Sequence, residues 1–226
     1  MNVYDVENLL TEMADKYYYM RMFLLNREKR NIQKLKDELE DRYGYFYWED
    51  GAECRIEWGA TKAVFILSDW NYVIKIPMDR KDGNETDYCK YEKENYSYAV
   101  NHGLERYFAP CQSSFTYHFN PMDYDDCDYS LIIDIPVYIM DYAEVDVRMN
   151  EEYESQSNLY DYGSGEYIEY TYDELDVIRI FSNFYTDDEI EEFLFFLKEY
   201  NINDIHDANI GMINGLPVLI DYSGYF

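Results

Sequence analysis

Residues 63–76 read AVFILSDWNYVIKI. This stretch contains two runs rich in β-branched and aromatic side chains, Ala63–Leu67 and Tyr72–Ile76, separated by the turn-like sequence Ser-Asp-Trp-Asn. Such runs are typical of strands, and the intervening Ser, Asp and Asn are typical of turns. The stretch therefore predicts a β-hairpin, and the β-rich run Cys54–Glu57 predicts a further strand before it.

Helical and strand-like patterns surround this hairpin and together predict an α+β fold. Residues 3–42 carry apolar side chains at three- and four-residue spacing, which predicts helix. Residues 144–172 are rich in Glu, Tyr, Ser and Gly without a steady period, and we interpret them as an insertion or mobile loop. The other predicted elements are helices at 85–102, 173–183 and 187–200, strands at 113–119 and 131–142, and a hairpin of 210–213 with 217–220.

Acidic residues outnumber basic ones, and the formal net charge is −28. The imbalance is concentrated in residues 101–226, which hold 27 Asp and Glu but only 4 Lys and Arg. Binding along nucleic acid depends on Lys and Arg that replace condensed counterions, and an anionic membrane surface also attracts basic segments. We therefore expect no direct binding to nucleic acid or to a membrane.

The apolar runs are also too short for a membrane span, which needs about 18 to 20 residues. The first residues lack the basic, apolar and small-residue pattern of a secretory signal. These features predict a soluble cytoplasmic protein.

The predicted helix at 85–102 carries one acid, Glu92, on an otherwise apolar face. A carboxylate in that position calls for a buried cationic partner or for a shifted pKa.

Three polar residues near the end of the chain have a spacing that suggests chemistry. Asp204 and Asn209 lie five residues apart in a loop after a predicted helix, and Asp221 follows the second strand of the predicted hairpin. A loop and hairpin of this kind can bring Asn209 and Asp221 together as oxygen ligands for Mg²⁺. Asp204 is then left to accept a proton from an attacking hydroxyl.

This combination resembles the protein-kinase-like superfamily, in particular its compact bacterial and phage branch. Asp204 matches the catalytic-loop aspartate, Asn209 the metal-binding asparagine, and Asp221 the aspartate of the Asp-Phe-Gly motif, written here Asp-Tyr-Ser-Gly. Upstream, Val-Ile-Lys-Ile around Lys75 resembles the third-strand lysine motif. Glu92 follows 17 residues later as that lysine's partner, with Glu94 as the alternative.

The resemblance implies a particular fold and a particular ligand. It implies a kinase-like amino-terminal lobe with hinge over residues 51–146, a reduced acidic carboxy-terminal lobe over 147–226, and a helical extension over 1–50. It also implies that the chain binds ATP and Mg²⁺. Lys75 and Gly59 would contact the phosphates. Met140 and Tyr142 would contact the adenine from the hinge, which reads VYIMDYAEV.

Three departures separate the chain from an active kinase of this family. The phosphate loop keeps only Gly59, and Lys62 stands where the family has its last glycine. Ile202 replaces the histidine expected two residues before the catalytic aspartate. The sequence ends at Phe226, and we expect it to lack the activation segment and later helices.

Two functions remain open from the sequence, and it leaves open whether the chain is an enzyme. In the first, the chain is an acidic binding protein encoded by a phage or mobile element. It inhibits a basic nucleic-acid-binding defence protein, because its carboxylates mimic the phosphates of nucleic acid. In the second, it is a Mg-ATP-dependent phosphotransferase acting through Lys75, Glu92, Asp204, Asn209 and Asp221. A further possibility is that the apolar stripe of residues 6–24 mediates oligomerisation. The sequence does not specify the oligomeric state.

Overall fold

The structure is a computed structural model in which contacts group the chain into two compact units. The first comprises Met1–Cys89 and Cys111–Tyr142, and the second comprises Lys90–Pro110 and Ala143–Phe226. The residues that the structure describes are 3–27, 45–47, 53–58, 61–78, 87–145, 158–161, 166–169 and 172–224.

In its described residues, the first unit combines two helices with one antiparallel sheet. The helices are α1 (Val3–Lys16) and α2 (Tyr18–Asn26). The strands are β1 (Tyr45–Tyr47), β2 (Glu53–Trp58), β3 (Lys62–Leu67), β4 (Tyr72–Pro77), β5 (Cys111–Phe119) and β6 (Ile133–Asp141). They pair in the order β1-β2-β3-β4-β6-β5. Residues 45–47, which the sequence assigned to the helical extension, thus pair with β2 in the sheet.

The hairpin predicted at residues 63–76 is confirmed as β3 and β4. A short 3-10 turn at Ser68–Trp70 joins the strands, and Asn71 takes the left-handed conformation with φ 57°. Asparagine tolerates this conformation better than most residues, which explains its place at the turn. The backbone carbonyl of Asn71 also accepts a 3.0 Å hydrogen bond from the backbone nitrogen of Tyr142.

The single long helix predicted over residues 3–42 is interrupted in the structure. Tyr17 separates α1 from α2 with an extended backbone, φ −124° and ψ 110°. Residues 17–19 are three successive tyrosines, and aromatic side chains lose rotamer freedom inside a helix. Residues 28–42, the rest of that prediction, lie outside the described residues.

The apolar stripe of α1 is buried in the core of the first unit. Val6, Leu10 and Met13 are fully buried, and they belong to the same cluster as sheet residues such as Phe65 and Ile74. Packing within this unit therefore accounts for the stripe that had suggested oligomerisation.

The second unit contains three helices and two short hairpins in its described residues. One hairpin lies within residues 144–172, which we interpreted as an insertion or mobile loop, and its four-residue strands are too short to show a period among Gly and Ser. The elements are α3 (Tyr88–His102, with its first two residues in the first unit), β7 (Asn158–Asp161), β8 (Glu166–Glu169), α4 (Tyr172–Phe181), α5 (Asp187–Glu199), β9 (Ile210–Ile213) and β10 (Leu216–Leu219).

Aromatic rings form the centre of the second unit. The ring of Tyr107 stacks on Phe193 at 4.4 Å between centroids, and Phe108 meets Tyr222 edge-on at 5.0 Å. At the start of α5, the Thr186 side chain caps the helix and Glu189 returns a hydrogen bond to the Thr186 backbone. This capping box fixes where the helix begins and therefore how it leads into the following loop.

The described residues contain both helices and antiparallel strands, so the predicted α+β class is confirmed. Among these residues, no helix has the length and apolar character required to cross a membrane.

Candidate functional site

The loop after α5 alternates buried apolar anchors with more exposed polar side chains. Ile202 and Ile205 are almost completely buried, and the backbone nitrogen of Ile202 donates to the Leu197 carbonyl at 2.8 Å. Asp204 lies between these anchors with 32% of its side chain exposed. The two isoleucines therefore hold the loop in place while the Asp204 carboxylate remains accessible.

Asn209 closes this loop on itself. Its Nδ2 atom donates a 2.8 Å hydrogen bond to the backbone carbonyl of Asp204 and lies 3.2 Å from Nε2 of His206. His206 Nε2 is in turn 3.8 Å from Oδ1 of Asp204. Within the described part of the chain, Asn209 Oδ1 accepts no hydrogen bond, so this oxygen can coordinate a cation.

Asp176 on α4 supports the same loop from the side. Its Oδ2 atom accepts a 3.3 Å hydrogen bond from the backbone nitrogen of Asp207, and its Oδ1 atom pairs with Arg179 at 3.1 Å. Asp176 is almost fully buried, and a buried carboxylate is tolerated when it has such partners. The sequence did not identify Asp176 as a site residue, because a single Asp in a very acidic chain carries no distinguishing pattern.

The hairpin of β9 and β10 brings the end of the loop after α5 close to the end of β10. The turn at Asn214-Gly215 has positive φ at both residues, 53° and 79°, as two-residue hairpin turns require. At the open end, the Asn209 carbonyl accepts a 2.9 Å hydrogen bond from the Ile220 nitrogen. Asp221 is the next residue, so the predicted neighbourhood of Asn209 and Asp221 agrees with the observed hairpin.

Neighbouring segments of the second unit fix this hairpin on both edges. The backbone of Met212 exchanges two hydrogen bonds with Glu144, at 2.7 and 3.1 Å, and the Leu219 carbonyl accepts from Ala109 at 2.8 Å. A side chain at Gly211 would bring its Cβ within 2.7 Å of the Ala143 Cβ. Glycine is therefore required for this close approach, a constraint that sequence reasoning did not detect.

The segment Asp221-Tyr222-Ser223-Gly224 is held mainly through Tyr222. The buried hydroxyl of Tyr222 donates to the Ala109 carbonyl at 2.7 Å. The backbone carbonyl of Tyr222 accepts a hydrogen bond from Asn95 Nδ2, also at 2.7 Å. Ser223 Oγ donates to Asp221 Oδ1 at 3.3 Å. These bonds fix the backbone that follows Asp221, and Ser223 also contacts its carboxylate.

The donors at the open end of the hairpin fit Mg²⁺ better than a softer metal. Mg²⁺ prefers oxygen ligands and is usually bound by one or two protein groups together with phosphates and water. The amide oxygen of Asn209 and the carboxylate of Asp221 match this chemistry. Among the described residues, no group of three or more His, Cys, Asp or Glu side chains converges in the manner of a metal site built entirely from protein.

Lys75 and Glu92 are both buried. Lys75 lies in β4 between Val64 of β3 and Tyr138 of β6, and only 5% of its surface is exposed. Glu92 on α3 is fully buried, whereas the alternative, Glu94, is partly exposed and lies 3.7 Å from Lys90. Burial therefore favours Glu92 over Glu94. Lys75 belongs to the first unit and Glu92 to the second, and their pairing stays a prediction.

The remaining predicted site residues lie on or near β6. Met140 is buried within this strand, and Tyr142, directly after it, is partly buried. Their proposed contact with adenine stays a prediction. Gly59 lies outside the described residues.

No model of a known protein family matches the chain, and no curated protein is significantly similar to it. The geometry of the loop and hairpin is therefore the basis for assigning a function.

Proposed function

We propose that the chain binds a magnesium–nucleotide complex and transfers its terminal phosphoryl group to a hydroxyl acceptor, as protein-kinase-like enzymes do. The observation that carries this proposal is the hydrogen bond from Asn209 Nδ2 to the Asp204 carbonyl. It holds one amide oxygen and one accessible carboxylate in a single short loop. The hairpin also brings the backbone of Ile220, the residue before Asp221, to the backbone of Asn209, which supports Asp221 as the second ligand.

Each of these three residues has a role that its chemistry supports. Asn209 and Asp221 would hold Mg²⁺, which neutralises charge on the phosphoryl oxygens when it is bound. Asp204 would accept the acceptor's proton while the acceptor oxygen bonds to the terminal phosphorus and the bond to the bridging oxygen breaks. The nucleoside diphosphate leaves with the electrons of that bond.

A kinase-like amino-terminal lobe forms part of the same proposal. The antiparallel sheet that carries Lys75 and the helix that carries buried Glu92 support it. Lysine and glutamate are rarely buried unless they are paired, so their low exposure requires compensating partners. Lys75 would contact phosphate oxygens, and Met140 and Tyr142 would contact the adenine.

Release of phosphate from γ-labelled ATP tests this proposal without knowledge of the acceptor. Asp204→Asn should lower Mg²⁺-dependent turnover by a factor of about 100 or more, as loss of a general base does. Asp207→Asn is the matched control, because it removes the same charge from the same loop at an exposed position. Absence of turnover in the wild type, or equal losses in the two variants, would contradict phosphoryl transfer.

A second candidate is the acidic binding protein that inhibits a basic nucleic-acid-binding protein by charge mimicry. The observation that favours it is the outer face of α5. The only base in that helix, Lys198, pairs with Glu174 at 2.6 Å. The exposed carboxylates of α5 belong to Asp187, Asp188, Glu191, Glu192 and Glu199.

Competition with DNA separates this candidate from phosphoryl transfer. The chain should displace a labelled duplex from a basic DNA-binding protein at low salt and fail to do so at high salt. Asp187→Asn combined with Asp188→Asn and Glu191→Gln should weaken the displacement while turnover persists. A chain that displaces no duplex at low salt is not a nucleic-acid mimic.

A further inference from the structure

Large apolar side chains are exposed on the connection between β5 and β6, residues 120–132. Met122 is 70% exposed, Leu131 66% and Ile132 63%. The cross-strand pair Phe119 and Ile133 closes this connection, so it leaves β5 and enters β6 at the same end of the sheet. Large exposed apolar side chains that lie together on one connection are candidates for an interaction site in a soluble protein.

The acids of this connection lie between Met122 and Leu131, and no Lys or Arg occurs between residues 107 and 147. The acids within the connection are Asp123, Asp125, Asp126 and Asp128, and all four are exposed. This surface is therefore both apolar and strongly negative.

The first two helices hold the connection in a defined conformation. Arg21 of α2 donates to Asp126, with Nε 3.0 Å from Oδ1, and to the Ala14 carbonyl at 2.7 Å. Tyr124 donates its hydroxyl proton to Asp15 Oδ1 at 2.8 Å. The Arg21 guanidinium also lies 4.9 Å from the centre of the Tyr124 ring. Because these contacts fix Tyr124 and Asp126, the middle of the connection is already ordered before a partner binds, which lowers the entropic cost of binding.

We propose that residues 122–132 form a docking surface for a segment of a partner protein that carries Lys or Arg beside large apolar side chains. Carboxylates beside exposed apolar side chains favour such a partner through charge complementarity, and the apolar contacts supply most of the affinity. A second copy of this chain is disfavoured, since a symmetric contact would bring two acidic surfaces together. The proposal does not depend on phosphoryl transfer.

A random-peptide display library, selected on the full-length chain, identifies what this surface binds. Binding of the enriched peptides is then measured for the wild type and for four variants. Two variants alter the surface: Leu131→Ser with Ile132→Ser, and Asp123→Asn with Asp125→Asn and Asp128→Asn. Two controls alter α5 in matched ways: Phe195→Ser, at a side chain 68% exposed, and Asp187→Asn with Asp188→Asn and Glu191→Gln. Thermal unfolding confirms that all four variants are folded.

The enriched peptides should combine basic and large apolar residues. They should bind each surface variant about tenfold more weakly than the wild type, the loss typical of an interface hot spot. They should bind the two α5 controls as the wild type does, and added salt should weaken binding. Three results would overturn the proposal: no enrichment, enrichment of neutral or acidic peptides, or equal losses in the surface and α5 variants. Sedimentation that shows a dimer dissolved by the Leu131 and Ile132 substitutions would assign the surface to a second copy instead and would also overturn it.

Discussion

The side-chain amide nitrogen of Asn209 lies 2.8 Å from the backbone carbonyl oxygen of Asp204. This bond closes the loop that presents the Asp204 carboxylate, and it uses the nitrogen of the amide rather than its oxygen. The oxygen remains available to the metal that we propose for Asn209 and Asp221. In that proposal, positioning of the base and binding of the metal depend on the same side chain.

Substitution of Asn209 should separate these two roles. Asn209→Ala removes both the hydrogen bond and the metal ligand, and it should lower the free energy of unfolding by about 1 kcal/mol. Asn209→Asp keeps an oxygen ligand but loses the donor, so the Asp204 carbonyl loses its partner. Chemical denaturation should show losses of stability in both variants, and only Asn209→Asp should retain Mg²⁺-dependent nucleotide binding. Retention of that binding in Asn209→Ala would remove Asn209 from the metal site.

Gly224 should tolerate alanine less well than Gly215 does, although both have positive φ, 73° and 79°. At Gly215 an added Cβ meets open space, so Gly215→Ala should cost only the left-handed strain of about 1 kcal/mol. At Gly224 the added Cβ also collides with the backbone carbonyl of Asn201, and the loss should reach about 2 kcal/mol or more. Equal losses in denaturant unfolding would show that the contact between Gly224 and Asn201 is not tight.

Tyr222→Phe tests the bond that fixes the segment after Asp221. The variant keeps the ring but leaves the Ala109 carbonyl without the donor that now lies 2.7 Å away. A buried carbonyl that loses its partner should lower the free energy of unfolding by about 1 to 2 kcal/mol. Tyr98→Phe is the matched control, because Tyr98 is 43% exposed and should lose little. A Tyr222→Phe variant as stable as this control would contradict the assigned role.

The pair of Arg21 and Asp126 predicts a pH dependence in the first unit. The hydrogen bond from Arg21 holds the pKa of the Asp126 carboxyl below its usual value. A carboxyl whose pKa is lower in the folded state contributes stability above its usual pKa, and that contribution is lost as pH falls through the lowered value. An NMR titration of the Asp126 carboxyl should therefore give a higher pKa in Arg21→Ala than in the wild type. An unchanged pKa would show that the two side chains do not interact in solution.

Sequence patterns predicted the local elements well, because their signals lie within a few residues. The hairpin of β3 and β4 follows from Ala63–Leu67, Tyr72–Ile76 and the turn between them. The burial of Glu92 follows from the apolar face around it. The hairpin after Asn209 also follows from Asn214-Gly215, and it positions two of the proposed site residues.

Features that depend on distant partners could not be predicted in this way. Asp176 contacts the backbone of Asp207, 31 residues later, and no local pattern marks that contact. Leu131 and Ile132 read as the start of a strand, yet β6 begins at Ile133 and leaves both exposed. The contacts of Arg21 with Asp126 and of Tyr124 with Asp15 likewise join distant parts of the chain, and no local pattern marks them.

The central claim, that the end of the β9–β10 hairpin binds a magnesium–nucleotide complex, is tested most directly by calorimetric titration of ATP with and without Mg²⁺. The wild type should bind ATP with Mg²⁺ and bind it much more weakly without the metal. Thermal unfolding first checks that Asp221→Asn is folded. This variant should then lose the dependence on Mg²⁺, whereas Asp207→Asn should keep it. A wild type that binds no ATP, or that binds it equally with and without Mg²⁺, would contradict the claim.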